Sequence, residues 1–167
     1  MARLGGRGMH EIVWDPFCGS GLELIERALL GGVERIYGTD RSPDAISVCR
    51  ANFATAKVKT VPLELACCDF RDYAKLEGLG AKSVTLIITN PPMGKRVRVP
   101  SLRGLIRDLF AVAAVVLKPG GRLIFANPLR IEPQEPSLKL EYRKRVDLGG
   151  FNCRLEMYLK EIRSLGN

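Results

Sequence analysis

What this 167-residue chain lacks narrows its function before any motif is considered. No apolar run approaches the ~20 residues that a bilayer crossing needs, so no membrane span is expected. Behind the basic, glycine-containing tail of residues 1–9 there is no apolar stretch of signal-peptide type, and the default compartment is the cytoplasm. The five cysteines, Cys18, Cys49, Cys67, Cys68 and Cys153, are odd in number and nowhere spaced CxxC, which argues against a zinc site or a dithiol redox motif. They read as free thiols, with the adjacent Cys67 and Cys68 facing opposite ways along a strand, and no metal site is expected. The single histidine, His10, precedes the first strand candidate and reads as a surface or cap residue. Internal repeats and low-complexity tracts are also missing.

What remains is the composition of one soluble globular domain, residues 1–167, with 46% hydrophobic and 26% charged residues. The net charge is +8, and Lys95, Arg96, Arg98, Arg103 and Arg107 follow one another with no acidic residue among them. Such a run is either a solvated loop and helix face or a phosphate-attracting rim.

Strand patterns fall at residues 11–15, 35–39, 61–67, 84–89 and 122–126, separated by helical ones. After the first strand, Leu22, Ile25, Ala28 and Leu29 share a helix face that Gly31 and Gly32 terminate. Ser42 and Pro43 start a second helix with a stripe of Ile46, Cys49 and Phe53. A third runs from about residue 102 to 117 with a broad apolar face, and Pro119-Gly120-Gly121 stops it. This alternation predicts an α/β, Rossmann-like doubly wound sheet with ligands at the strands' carboxyl ends. A Pro-rich connection at 128–137 leads to two more strands, 138–147 and 151–161, around Gly149 and Gly150, each with one buried face. Seven strands are expected, mostly parallel, with a C-terminal antiparallel hairpin.

Two words sit at those carboxyl ends. Residues 15–21 read DPFCGSG, a strand opening through glycines into a helix, but Leu24 replaces the third glycine of a dinucleotide fingerprint. Asp15 would repel a pyrophosphate, yet it could attract the amino group and sulfonium of S-adenosylmethionine. Asp40, at the end of the second strand, is placed to accept hydrogen bonds from both hydroxyls of a ribose, or else to cap a turn. Asp69 follows the third strand, where it could meet an adenine amino group with Phe70 beside the ring; Asp72 is near enough to compete.

The second word, Asn90-Pro91-Pro92, offers a side-chain amide oxygen and a backbone carbonyl at a rigid strand end. Both can accept hydrogens from a conjugated amine, favouring a pyramidal nitrogen whose lone pair is free to attack a methyl group. A turn that merely ends a strand is the competing reading.

Taken together, residues 15–21, Gly38-Thr39-Asp40, residues 89–94 and Lys118-Pro119-Gly120-Gly121-Arg122-Leu123 resemble class I S-adenosylmethionine-dependent methyltransferases over nearly the whole chain. With DPFCGSG preceding NPP, the chain is similar to the catalytic domain of THUMP-type RNA guanine-N2 methyltransferases. The resemblance implies that Asp15, Phe17, Cys18, Gly19, Gly21, Asp40, Arg41, Asp69, Phe70 and Asn90 surround the cofactor. It further implies that Asn90, Pro91, Pro92 and Met93 form the acceptor site, Met93 standing where the family has an aromatic. The expected reaction is methylation of guanine N2 in tRNA or rRNA, with Lys95, Arg96, Arg98 and Arg103 on the RNA. No RNA-recognition domain is seen in the sequence, so a partner domain or subunit is expected to supply one. Adenine N6 in DNA, a glutamine amide, or an inactive cofactor-binding interaction domain are the alternatives.

Overall fold

The computed structural model describes residues 1–2, 10–56, 58, 61–92, 101–148, 150 and 152–162. Among these, seven strands form one sheet: β1 (Glu11–Asp15), β2 (Val33–Asp40), β3 (Leu63–Cys67), β4 (Val84–Thr89), β5 (Leu117–Asn127), β6 (Leu138–Asp147) and β7 (Asn152–Lys160). The helices are α1 (Leu22–Leu29), α2 (Pro43–Thr55) and α3 (Leu102–Val116), with a 3₁₀ turn at Phe70–Lys75. The strand order is β3-β2-β1-β4-β5-β7-β6, parallel through β5 and antiparallel at β5–β7 and β7–β6. The expected mostly parallel sheet with a C-terminal antiparallel hairpin is what forms. Among the described residues no helix is long and apolar enough to cross a membrane.

The central strands are apolar on both faces because helices cover both. Val13, Ile36, Leu86, Ile88 and Ile124 pack with Leu24 and Ala28 of α1 and Ile46, Cys49 and Phe53 of α2. Their immediate neighbours Trp14, Tyr37, Ile87, Leu123 and Phe125 face the other way, onto Ile106, Leu109, Phe110 and Ala113 of α3. The Ser42 side chain accepts from Ala45 N–H at 3.2 Å and caps α2 as its sequence suggests.

Three expectations are corrected. In α1 the inward face is Leu24, Arg27 and Ala28, while Leu22 and Leu29 are exposed. Arg27 turns inward because it has a buried partner: its Nε donates to Glu11 of β1 at 2.8 Å, and Arg122 of β5 reaches the other carboxylate oxygen. Next, α3 ends at Val116 and β5 starts at once, Leu117 pairing with Val84; residues 118–121 then bulge out before Arg122 pairs with Leu86. The hairpin's alternation also differs. A bulge between Leu140 and Tyr142 shifts β6, which is largely exposed. Internal β7 is instead covered on both sides, with Tyr158 edge-on to Phe110 and Cys153 buried.

Arg27→Met leaves the buried Glu11 with one cation in place of two and is expected to cost about 3–5 kcal/mol. Urea denaturation checks it through a lowered midpoint at unchanged slope.

Candidate active site at the carboxyl ends of β1, β2 and β4

At the end of β1, Pro16 to Gly21 fold into a turn that needs left-handed backbone at Gly19 (φ 49°) and Gly21 (φ 80°). The turn is tied to β2. Cys18 N–H donates to the Thr39 carbonyl at 2.9 Å, Gly19 N–H to Asp40 Oδ2 at 3.0 Å, and the Thr39 hydroxyl to the Pro16 carbonyl at 3.0 Å. From α2, Asn52 donates its side-chain amide to the Ser20 carbonyl at 2.9 Å. Asp40 also accepts from Ser42 N–H at 2.9 Å, so both oxygens are oriented by backbone amides and keep further acceptor capacity. The turn-capping use of Asp40 is therefore real and leaves the half-buried carboxylate available to a ligand.

Asp15 is fully buried. Its Oδ1 accepts from Phe17 N–H at 2.9 Å and from the Thr89 hydroxyl of β4 at 2.5 Å. Among the described residues its Oδ2 has no partner. Burial, reinforced by Glu23, pushes the carboxyl well above the usual range, against the hydrogen bonds from Thr89 and Phe17. One bond thus joins the two sequence words, bringing Asn90 and Pro91 beside the glycine turn. Asn90 is exposed, Pro91 buried and Pro92 half-buried.

The other residues sort by access. Phe17, Gly19 and Asp69 are half-buried and Arg41 is exposed, so they form the open rim together with Asp40 and Asn90. Cys18, Gly21 and Phe70 lie beneath it. Phe70 is enclosed between Phe17, at 4.9 Å between ring centroids, and the Arg71 guanidinium, 4.8 Å from the Phe70 centroid. Asp69 caps the 3₁₀ turn, and Arg71 bridges it at 2.8 Å to Asp108 of α3 at 2.6 Å. Arg103 is exposed on the first turn of α3. Met93, Lys95, Arg96 and Arg98 lie outside the described residues.

Four participants escaped the sequence: Thr89 as the clasp, Arg71 and Asp108 as a brace, and Cys49 beneath the turn. A threonine ending one strand and an aspartate ending another, 74 residues apart, become a pair only when the strand order is known. Contact with Cys49, burial, and the Asp15 and Asp40 carboxylates push the Cys18 thiol up and keep it protonated.

A methyl group at Gly21 would sit 2.6 Å from Cys49 Sγ and 3.2 Å from Phe53 Cε2, whereas one at Gly31 (φ 79°) would meet nothing within 4 Å. Gly31→Ala is expected to lose about 1–2 kcal/mol from backbone strain alone. Gly21→Ala should lose about 1–3 kcal/mol more from overpacking, the difference being read by parallel denaturation curves.

Residues 1–145 match the model of the UPF0020 family, described as an RMKL-like methyltransferase domain. A curated protein of Methanothermococcus thermolithotrophicus, a probable tRNA (guanine(10)-N2)-dimethyltransferase, is 30% identical over 139 residues, 83% of this chain and 80% of that protein. The tRNA (guanine(10)-N2)-dimethyltransferase of Methanocaldococcus jannaschii is 31% identical over 129 residues, 73% of this chain but 34% of its own length. Among solved structures, TrmN from Thermus thermophilus superposes with a TM-score of 0.74 at 24% identity, covering 95% of this chain and 46% of that one. An RNA methyltransferase from Salinibacter ruber in complex with S-adenosyl-L-homocysteine gives 0.66 at 17% identity over 99% and 92% of the two chains. These last two likenesses establish the fold, and the family match with the first relative establishes that the chain belongs to the RMKL-like methyltransferase domain family.

Proposed function

We propose that this chain, acting as one catalytic domain, transfers the methyl group of S-adenosylmethionine to the exocyclic N2 of a guanine in tRNA. The observation that carries the reading is the Asp15–Thr89 hydrogen bond, which sets the glycine turn and the Asn-Pro-Pro end side by side. Two features fit a cationic, adenosine-bearing donor. The buried Asp15 Oδ2 has no partner among the described residues and suits a positively charged neighbour. At Gly19 a Cβ would approach no atom closer than the Phe17 carbonyl at 3.9 Å, so the backbone is open to close approach.

When bound, the donor supplies an electrophilic methyl group on a sulfonium. Asp40 would accept hydrogen bonds from the ribose hydroxyls, Asp69 would serve the adenine end, and the half-buried Phe17 would lie beside the ring. The Asn90 side-chain oxygen and the Pro91 carbonyl accept the two amine hydrogens and draw the nitrogen lone pair toward the methyl group. With the donor held there, its methyl group would face the amine nitrogen that Asn90 and Pro91 orient, and the surplus amine proton would pass to water. Proximity and orientation carry the rate. Two curated relatives bear names of tRNA guanine-N2 dimethyltransferases, which supports this acceptor. Since the matched region is 34% of one of them, we include a partner domain or subunit for RNA recognition, working in the cytoplasm.

A labelled-methyl assay on tRNA, rRNA and DNA with nucleoside identification is expected to yield N2-methylated guanosine from tRNA; label in N6-methyladenine alone would overturn the guanine assignment. Asn90→Ala should abolish transfer while donor affinity stays within a few fold, and unchanged turnover would remove Asn90 from the mechanism.

Asp15 gives a pH dependence. Its pKa in the fold lies well above the ordinary value of 3.8, so the ligand-free protein loses stability as pH rises from there through the raised pKa. Over the same window the ionised carboxylate gains attraction for the cationic donor, and donor affinity is expected to rise. Asp15→Asn keeps an acceptor for Thr89, and should be more stable at neutral pH with weaker, pH-independent donor binding. Calorimetric titration across the pH range checks both.

A further inference from the structure

We propose that an arginine-lined cleft at the carboxyl end of β5, separate from the methyl-transfer site, holds the phosphodiester backbone of the substrate RNA beside its target base. The inference rests on the RNA reading above and adds a second contact surface to it. The cleft has a volume of about 330 Å³ and is lined by Arg130, Arg145 and Arg154 with Asn127, Asn152 and Cys153.

Its chemistry is one-sided. Arg145 and Arg154 are directly opposed in the β6–β7 ladder, a like-charge cross-strand pairing that destabilises a hairpin. The acid beside them is already committed. Buried Glu156 accepts from Arg143 at 2.7 Å, from the Asn127 side-chain amide at 2.8 Å and from the Tyr158 hydroxyl at 3.0 Å, leaving Arg154 at 4.0 Å. Arg143 is neutralised twice, by Glu156 and by Glu132. No ion pair is formed by Arg130 or Arg145 among the described residues. Arg145 and Arg154, opposed in register, and Arg130 in the lining of the same cleft leave an excess of cation that an anion would relieve.

The third arm is positioned by Asn127, which accepts from Leu129 N–H at 3.0 Å and donates to the Ile131 carbonyl at 3.1 Å. Its side chain thereby fixes the loop that carries Arg130 over the strand ends. Asn127 is a positioning residue here, buried and closed off from the cleft's ligand by its own bonds.

Placement selects RNA over other anions. Thr89 pairs with Phe125, so Asn127 lies level with Pro91, and Arg154 is paired to Asn127. At ~4.8 Å per strand, Arg154 lies about 10 Å and Arg145 about 14 Å from the end of β4. Distances of this size span only a few nucleotides of a nucleic-acid strand, so the arginines would meet phosphates close to the base at Asn90. Arg145, Arg154 and Glu156 occupy the sheet face that carries Phe125, Tyr158 and α3, so the strand would pass on the side of the exposed Arg103 and Arg107. Planar guanidinium donors match phosphate oxygens in pairs, as an RNA backbone would use them.

The experiment follows anisotropy of labelled tRNA across salt concentrations, alongside methyl transfer, for wild type, Arg145→Gln/Arg154→Gln, Arg145→Lys/Arg154→Lys and the loop variant Arg130→Gln. The log–log salt slope should fall by ~1.4–1.8 in the double glutamine variant, stay at the wild-type value in the lysine variant, and fall by ~0.7–0.9 in the loop variant. KM for tRNA rises with kcat retained, and affinity for S-adenosylmethionine is unchanged. Relieving the Arg145–Arg154 repulsion keeps the double glutamine variant's melting temperature at or above wild type, so a lost slope is not a lost fold. If wild type methylates tRNA and no variant alters the slope or KM, the cleft proposal is overturned while the guanine reading stands. If wild type binds tRNA with the expected slope changes but methylates none, the guanine reading falls and the cleft remains an RNA site. Polyaspartate displacing tRNA as effectively as unlabelled tRNA does would assign the cleft to acidic peptides and overturn the proposal.

Discussion

The hydrogen bond from the Thr89 hydroxyl to Asp15 is the constraint around which the site is built. It couples the ends of two adjacent parallel strands, and each strand end launches one half of the chemistry: a glycine turn on one side, an Asn-Pro-Pro loop on the other. The same aspartate holds Phe17 N–H, so the first turn cannot drift without disturbing the clasp. A buried carboxylate with one oxygen satisfied and the other without a partner among the described residues is a poor choice for stability alone. Its retention is intelligible if the cost is offset when a cation arrives.

The opposite end of β1 is managed differently. Glu11 is equally buried, but two arginines from separate elements close on it, so α1 and β5 are both fastened to the central strand. β1 therefore carries a neutralised acid at its amino end and an unneutralised one at its carboxyl end. Charge placed this way lets the fold stay closed below the sheet and receptive above it. The hairpin extends the receptive edge, since β7 pairs with β5 and brings Arg154 level with Asn127.

Much of the sheet was legible because parallel strands covered on both faces are short, apolar and β-branched, and because prolines and glycines punctuate them. Residues 84–89 and 138–147 fall where the pattern puts them. Leu22 and Leu29 misled because hydrophobicity alone cannot see that a neighbouring strand carries Glu11, which makes Arg27 the inward residue. The β6 alternation misled because a one-residue bulge exchanges faces without marking the sequence.

At the site, the sequence by itself determined the residue chemistry: small residues where backbone must approach a ligand, acids at strand ends, and an amide followed by prolines. Those are local demands of φ, of donors and of acceptors, and they leave local traces. The tertiary structure decided which of these groups meet. Asp40 on Gly19, Thr89 on Asp15 and Arg145 opposite Arg154 are products of strand order and register, which arise from pairing between segments far apart in the chain and from the packing of both sheet faces.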